Sequence, residues 1–411
     1  MDFDNIRGVI ELGNINLKCV IFEISDNNEL KILSNSIMKT DGIHNGVVVN
    51  INRASKAIRS CISDAEKKAK ILIKKIIVVV EQPEFLCTKL SKQRKIDGSK
   101  IHKYDIDFLL KEAKKQVTHN DENQSIIHIF NHNYIVDGKT FIEEPIDVYA
   151  DFLSHEMTFI TMPKNNLKNI NQAFINCDIE VERFISCTFA LAVNLLNANQ
   201  LQSGSVLMNL DTEKTSLGLF KNLALVHSVT IPIGINHIIK DISKICSLNL
   251  KESEIICKKI DFSFENNEEL FDQNGFLKDN YFNGSNYRKI SKTLILDITK
   301  ARLDEIFYII KKQMVTPELN TSLGVNFFMT DEGSKFLNLE KYCSNFFGSK
   351  VNSLNKKNES VGIGDTNSNF TSCLGALKIV RDGWETEAIP ELANKNAQKL
   401  SFFARFFGSE T

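Results

Sequence analysis

Residues 6–24, IRGVIELGNINLKCVIFEI, decide the fold. Two short β-type runs, Ile6–Leu12 and Leu17–Ile24, flank Gly13-Asn14-Ile15-Asn16, and that spacing predicts a hairpin. Ala54–Ala69 follows with the apolar spacing of an amphipathic helix, and Lys74–Val80 (KKIIVVV) predicts a buried strand that ends before Pro83. Strand, hairpin, helix and strand in this order open an α/β unit. The strand–turn–strand device returns at Ser205–Phe220, around the turn Asp211-Thr212-Glu213-Lys214. Two copies, each feeding a mixed α/β region, predict a duplicated fold that holds a ligand between the copies.

Between the copies, Ile106–Val117 has helical spacing, and Ile126–Val136 (IIHIFNHNYIV) alternates before a turn at Asp137-Gly138. A helix at Asn165–Ile175, a strand near Ile179–Ile185 and a helix through Leu195 complete the first half. In the second half, Ile238–Leu248 and Glu252–Ile260 are predicted helices, and Ser263–Lys289 a loop. Ser291–Met314 is the strongest helix, with Ile295, Ile298, Leu303, Ile306, Phe307 and Ile310 at helical spacing. A strand at Val325–Met329, a polar stretch at Asn352–Ser368, a helix at Thr371–Val380 and a linker at Asp382–Asn396 follow.

Composition limits the function. The 411 residues are 43% hydrophobic and 25% charged, which supplies a large core and two to four structural units. With 50 Lys+Arg against 51 Asp+Glu, the net charge of -1 gives no overall field toward nucleic acid, so no nucleic-acid partner is expected. The 19 glycines fall short of the roughly 29 that average usage would give, which argues against intact glycine-rich phosphate loops. Nine scattered cysteines, with no close pair, predict reduced thiols in a cytosolic protein and no metal site. His128 and His132 alternate on a strand without a ligand set around them, and the basic run Lys67–Lys75 reads as a solvated helix end. Neither a signal region nor a membrane-spanning stretch is expected, so the protein is read as soluble or peripheral. No function is read for Trp384.

The terminal segment Lys395–Gly408 stands on its own physics. At 100° per residue, Leu400, Phe403, Ala404 and Phe407 share a face that Phe402 and Phe406 widen, with Gln398, Ser401 and Arg405 opposite. Lys395, Lys399 and Arg405 add positive charge without an acidic residue, as an interfacial helix on an anionic lipid surface requires. Docking on its own protein or on a partner is the competing reading.

The segments "IRGVIELGNINLKCVIFEI", "IIHIFNHNYIVDGKTFIEEPIDVYADFL", "IPIGINHIIKDI", "ESEIICKK" and "ILDITKARLDEIFYIIKK", in this order and spacing, resemble the bacterial cell-division protein family FtsA, which is actin-like and binds ATP. The similarity runs from about Ile6 to Ile379 and resumes in the last dozen residues. It implies an α/β, actin-like fold: ribonuclease H-like, duplicated and two-lobed, with an inserted 1C subdomain and a C-terminal amphipathic helix. Subdomain 1A would comprise 1–83, 163–197 and 361–381, and subdomain 1C 84–162. Subdomain 2A would comprise 198–226 and 313–360, and 2B 227–312, followed by a linker at 382–396 and a membrane-targeting helix at 397–408.

The resemblance further implies two phosphate loops, each with a carboxylate for hydrated Mg²⁺. In the first, the family pattern falls on Glu11, Gly13, Asn14, Ile15 and Asn16, which keeps a carboxylate and loses the hydroxyl and lysine. In the second, it falls on Asn209, Leu210, Asp211, Thr212, Glu213, Lys214, Thr215 and Ser216, which loses both glycines and replaces the carboxylate by Asn209. On the adenosine side, the family's Thr-Gly-Gly-Gly loop becomes Thr330-Asp331-Glu332-Gly333, its paired glycine becomes Gly234-Ile235, and Glu254 and Lys258 match a segment along the nucleoside. The site is therefore read as degenerate, with weak binding of ATP and Mg and absent or slow hydrolysis. Taken alone, Glu254 and Lys258 are equally an ordinary helix pair.

As partner site the resemblance implies Arg302 and Glu305 on the long helix, where the family receives the C-terminal peptide of the tubulin-like FtsZ. An intrahelical ion pair is the alternative. Lys399, Leu400, Phe402, Phe403, Arg405, Phe406 and Phe407 would bind membrane. The implied protein tethers the FtsZ ring to the cytoplasmic face of the inner membrane, self-associates into filaments and receives later divisome proteins. A pilus-type actin-like adaptor and an actin-fold ATPase or kinase remain the alternatives.

Overall fold

In the computed structural model, residues 6–25, 29–264, 267–314, 326–330, 336–354 and 370–382 are described. The first half runs β1 (Ile6–Leu12), β2 (Asn16–Ile24), β3 (Leu30–Lys39), a short pair β4 (Ile43–His44) and β5 (Val47–Val48), α1 (Ile51–Ala69) and β6 (Lys75–Val80). It continues with β7 (Leu86–Lys100), α2 (Lys103–Asn120), β8 (Gln124–Val136), β9 (Lys139–Phe141) and β10 (Tyr149–Pro163), then α3 (Lys164–Ile175), β11 (Glu180–Ser186), α4 (Cys187–Leu195) and α5 (Ala198–Ser203). The second half has β12 (Ser205–Leu210), β13 (Thr215–Lys221), β14 (Ala224–Ile231), α6 (Ile235–Cys246), α7 (Leu250–Lys259), α8 (Lys292–Gln313), β15 (Asn326–Thr330), α9 (Leu339–Phe347), β16 (Val351–Ser353) and α10 (Thr371–Asp382).

The duplication is explicit in the sheets. One has the order β3-β2-β1-β6-β11 and the other β14-β13-β12-β15-β16, so each begins as a three-stranded meander and continues with two strands reached by crossover. β6 lies parallel to β1 and β11 to β6, while β15 lies parallel to β12 and β16 to β15. Parallel strands covered on both faces read as continuous apolar runs, which is why Ile76–Val80 is buried throughout. By their contacts the described residues divide into two units. One takes everything up to Gly204 together with 218–229 and 370–382, and the other takes 205–217, 230–264, 267–314, 326–330 and 336–354.

In the first unit, α1 buries Ala54, Ile58, Cys61, Ile62 and Ala65, and Asn50 caps it by accepting from the Arg53 N–H at 3.0 Å. Between β6 and α3 sits a separate four-stranded sheet, β7-β10-β8-β9. α2 covers it with Ile106 and Leu109 against Ile96, Tyr134, Val136 and Leu153, and with Ala113 and Val117 against Ile129, Met157 and Phe159. This insertion has its own core. No helix among the described residues is long and apolar enough to cross a membrane. All nine cysteines are free thiols, and no group of three metal-ligating side chains occurs among the described residues.

His128, on β8, is structural. Its Nε2 accepts the Ser186 N–H at 2.9 Å, and its ring lies against Phe130 and Phe189. Burial, helped by the nearby Arg183 charge, pulls it down to about 3. The unfolded imidazole titrates near 6.5, so the fold holds it neutral and loses stability as pH falls from about 6.5 toward 3, by up to ~1.4 kcal/mol per unit. Replacing His128 by Gln should flatten that part of the stability–pH curve, as urea unfolding at pH 5 and pH 7 will show. The His132 side chain lies outside the described residues.

Candidate functional site

The β1–β2 hairpin places Glu11 directly across from Lys18, whose Nζ lies 3.1 Å from Glu11 Oε2. The Ser372 hydroxyl, from α10, donates to the same oxygen at 2.5 Å. The loop itself is fastened to the segment after β3. Thr40 donates its Oγ1 to Gly13 O at 2.7 Å and its N–H to Ile15 O at 2.9 Å. Asn14 and Asn45 exchange two bonds: Asn14 Nδ2 to Asn45 Oδ1 at 2.9 Å, and Asn45 N–H to Asn14 Oδ1 at 2.6 Å. A side chain at Gly13 would bring Cβ within 2.5 Å of Asn16 O, so glycine is required there by close approach. Asn16 begins β2, opposite Lys39.

The second loop closes on itself in the same way. The Asp211 N–H donates to Lys214 O at 3.0 Å, and Thr212 gives both its N–H (2.6 Å) and its hydroxyl (3.2 Å) to Asp211 Oδ1. The Thr215 hydroxyl is spent on Ile233 O at 2.7 Å. Gly234 is the N-cap of α6, so this helix starts three residues before the Ile238 expected from periodicity. Its first amides are taken: Ile235 N–H donates to Asp211 O at 3.1 Å and Asn236 N–H to Thr212 O at 2.7 Å. A Cβ on Gly234 would lie 2.4 Å from Asp211 O, so glycine alone lets the loop approach this closely. Asn209 is buried beside Thr330, and its Oδ1 finds no hydrogen-bond partner. It can accept from a water but supplies no charge.

A magnesium-held phosphate needs free carboxylates and free N–H donors. Here the Glu11 carboxylate is neutralised by Lys18 and bonded by Ser372, and the matching position in the second loop carries an amide. The Asp211 and Thr212 N–H groups and the Thr215 hydroxyl of the second loop, and the Ile235 and Asn236 N–H groups of the α6 terminus, turn inward. Neither loop, taken by itself, offers the free carboxylate and donors that such a group needs. Glu254 and Lys258 form an i,i+4 ion pair at 2.5 Å with both side chains about half exposed or more, the ordinary helix pair. Gly333 and the terminal residues Lys399, Leu400, Phe402, Phe403, Arg405, Phe406 and Phe407 lie outside the described residues.

On α8, Arg302 is likewise engaged. Its Nε donates to Asp241 Oδ2 of α6 at 2.7 Å and its Nη1 to Glu305 one turn on. The Asp241 hydrogen bond, opposed by partial burial, raises the guanidinium above its usual value, so it stays charged at any working pH. Arg302 thus ties two helices of the second unit together and carries the intrahelical pair as well. Sequence reasoning missed Lys18, Thr40, Asn45 and Ser372 around the first loop, and Asn236, Lys240 and Asp241 in the second unit. Only Lys18 carried a signal, because hairpin register pairs it with Glu11.

Comparison with known proteins agrees with the architecture. The family described as an SHS2 domain inserted in FtsA matches residues 85–161, the insertion formed by β7 to β10. The cell division protein FtsA of Agrobacterium fabrum is 20% identical over 345 residues, covering 82% of this chain and 77% of that protein. FtsA of Neisseria meningitidis serogroup B is 23% identical over 307 residues, covering 74% and 72%. Among solved structures, the PilM–PilN type IV pilus biogenesis complex superposes with a TM-score of 0.58 at 12% identity, covering 90% of this chain and 97% of that one, a likeness of fold alone. With two sheets of one topology, a match to the SHS2 domain inserted in FtsA and similarity to FtsA proteins along most of its length, the chain has an actin-like fold and is similar to the FtsA proteins.

Proposed function

We propose that this protein acts in cell division as an adaptor that links the FtsZ ring to the cytoplasmic face of the membrane. One observation carries the reading: the 85–161 sheet-and-helix insertion between β6 and α3, the piece that a family model assigns to FtsA. The adaptor holds the FtsZ C-terminal peptide on the α8 side of the second unit, contacts anionic lipid through its terminal segment, and self-associates along the membrane where later division proteins join it. It works by binding, with nucleotide hydrolysis absent or slow.

The direct test is co-flotation. FtsZ mixed with anionic vesicles should rise with them only when this protein is present, and FtsZ that stays at the bottom with the adaptor bound would refute the tether. Arg302→Glu should weaken binding of an FtsZ tail peptide about tenfold, the scale of one charge-assisted hydrogen bond. Because Arg302 also ties α8 to Asp241, Asp241→Asn serves as control. It loosens the same tie and leaves the arginine in place with its Glu305 pair, so peptide affinity should hold. Equal loss in both variants would assign Arg302 to structure.

A further inference from the structure

The phosphate end of the second loop is not vacant of negative charge. Glu213, in the turn between β12 and β13, directs its carboxylate onto the first turns of α6. Asn236 Nδ2 donates to Oε1 at 2.6 Å, and Lys240 Nζ lies 3.3 Å from Oε2. α6 has no acidic residue in its own first turn to meet the positive end of its dipole. The loop reaches across because Gly234 has no Cβ to keep Asp211, Thr212 and Lys214 away.

We propose that Glu213 is a resident anion: its carboxylate meets, through Asn236 and Lys240, the positive end of the α6 dipole, so that this turn is held on α6 without a bound anion. Partial burial works to raise Glu213, yet the Asn236 hydrogen bond and the Lys240 charge hold it below the ordinary glutamate value, so it is ionised at neutral pH. The Asp211 carboxylate faces its own Thr212 N–H and hydroxyl, and so leaves Asn236 and Lys240 to Glu213. An entering phosphate would meet an occupied pair of donors and a like charge. This inference goes beyond the adaptor reading and does not rest on it.

The test uses the full chain with inorganic pyrophosphate and Mg-ATP as probes. The thermal midpoint of the unaltered protein should move with neither. Glu213→Ala should lower the midpoint by roughly 2–4 °C, and pyrophosphate should restore it saturably, while potassium chloride at equal ionic strength should not. Glu213→Gln keeps the Asn236 bond and removes the charge; it should show the same rescue from a smaller loss, and it decides the matter if the alanine variant does not fold. A midpoint of the unaltered protein that rises with either probe as much as the variant's would overturn the proposal. So would variants that pyrophosphate leaves unmoved.

Discussion

Gly375→Ala should destabilise the first unit by about 3 kcal/mol or more, although the same substitution in an exposed helix interior would stabilise by up to ~1 kcal/mol. The sign is set by contact. A Cβ on Gly375 would lie 1.8 Å from Ala190 O and 2.5 Å from Ala190 C, atoms of the α4 backbone that no rotamer change can move. α10 and α4 would have to separate, and both bury most of their length: Cys373, Ala376, Leu377, Ile379 and Val380 on one, Thr188 to Val193 on the other. Separation also withdraws Ser372 from Glu11 and Cys373 from Lys18 O. Urea unfolding measures the loss. A midpoint unchanged or raised would mean that α10 does not pack as described.

That contact also shows where sequence reading stops. Gly375 looks like an unremarkable helix glycine, and Ser372 stands 361 residues from the carboxylate it bonds. Nothing in local pattern connects them. The hairpins and most helices were legible because their apolar periods are set by one buried face. Strand β3 was not, since its inward positions include Ser34 and Ser36, whose hydroxyls are satisfied by the α1 carbonyls of Ala65 and Cys61 at 2.7 Å each. A polar residue with a buried partner breaks the alternation without breaking the strand. β7 was missed for a different reason: it is a sheet edge rich in lysine, with the composition that keeps edges from pairing with other chains. β10 pairs on both sides and carries Ser154, His155, Thr158 and Thr161 within a largely buried run.

The loops themselves were placed correctly by pattern, and their loss of glycine was visible. The contacts that the loops make were not. Lys18 opposite Glu11 follows from register, but the meeting of Glu213 with Asn236 and Lys240 depends on how closely α6 approaches the turn, which Gly234 permits. The glycine shortage of the chain therefore has a structural counterpart. One retained glycine lets a glutamate-bearing turn fold onto a helix terminus.

Removing the residues after Lys395 should abolish binding to anionic vesicles while leaving the folded units intact. The expectation rests on the sequence of Lys399–Phe407, where four phenylalanines and Leu400 fall on or beside one helical face next to two cations. Burying a side chain of this size in the interface contributes on the order of 1.5–3 kcal/mol, so five such residues outweigh the ~1 kcal/mol per nearby cation that electrostatic attraction adds. Two signatures separate this from a helix that docks on protein. Flotation should fall only partly when salt is raised, because the apolar term is not screened, and Phe403→Asp together with Phe407→Asp should cost as much as the truncation. The shortened chain should unfold at the same temperature as the full one, since the described core of both units ends by residue 382. Vesicle binding retained by the shortened chain would transfer the membrane contact to the folded units and remove the terminal segment from the tether.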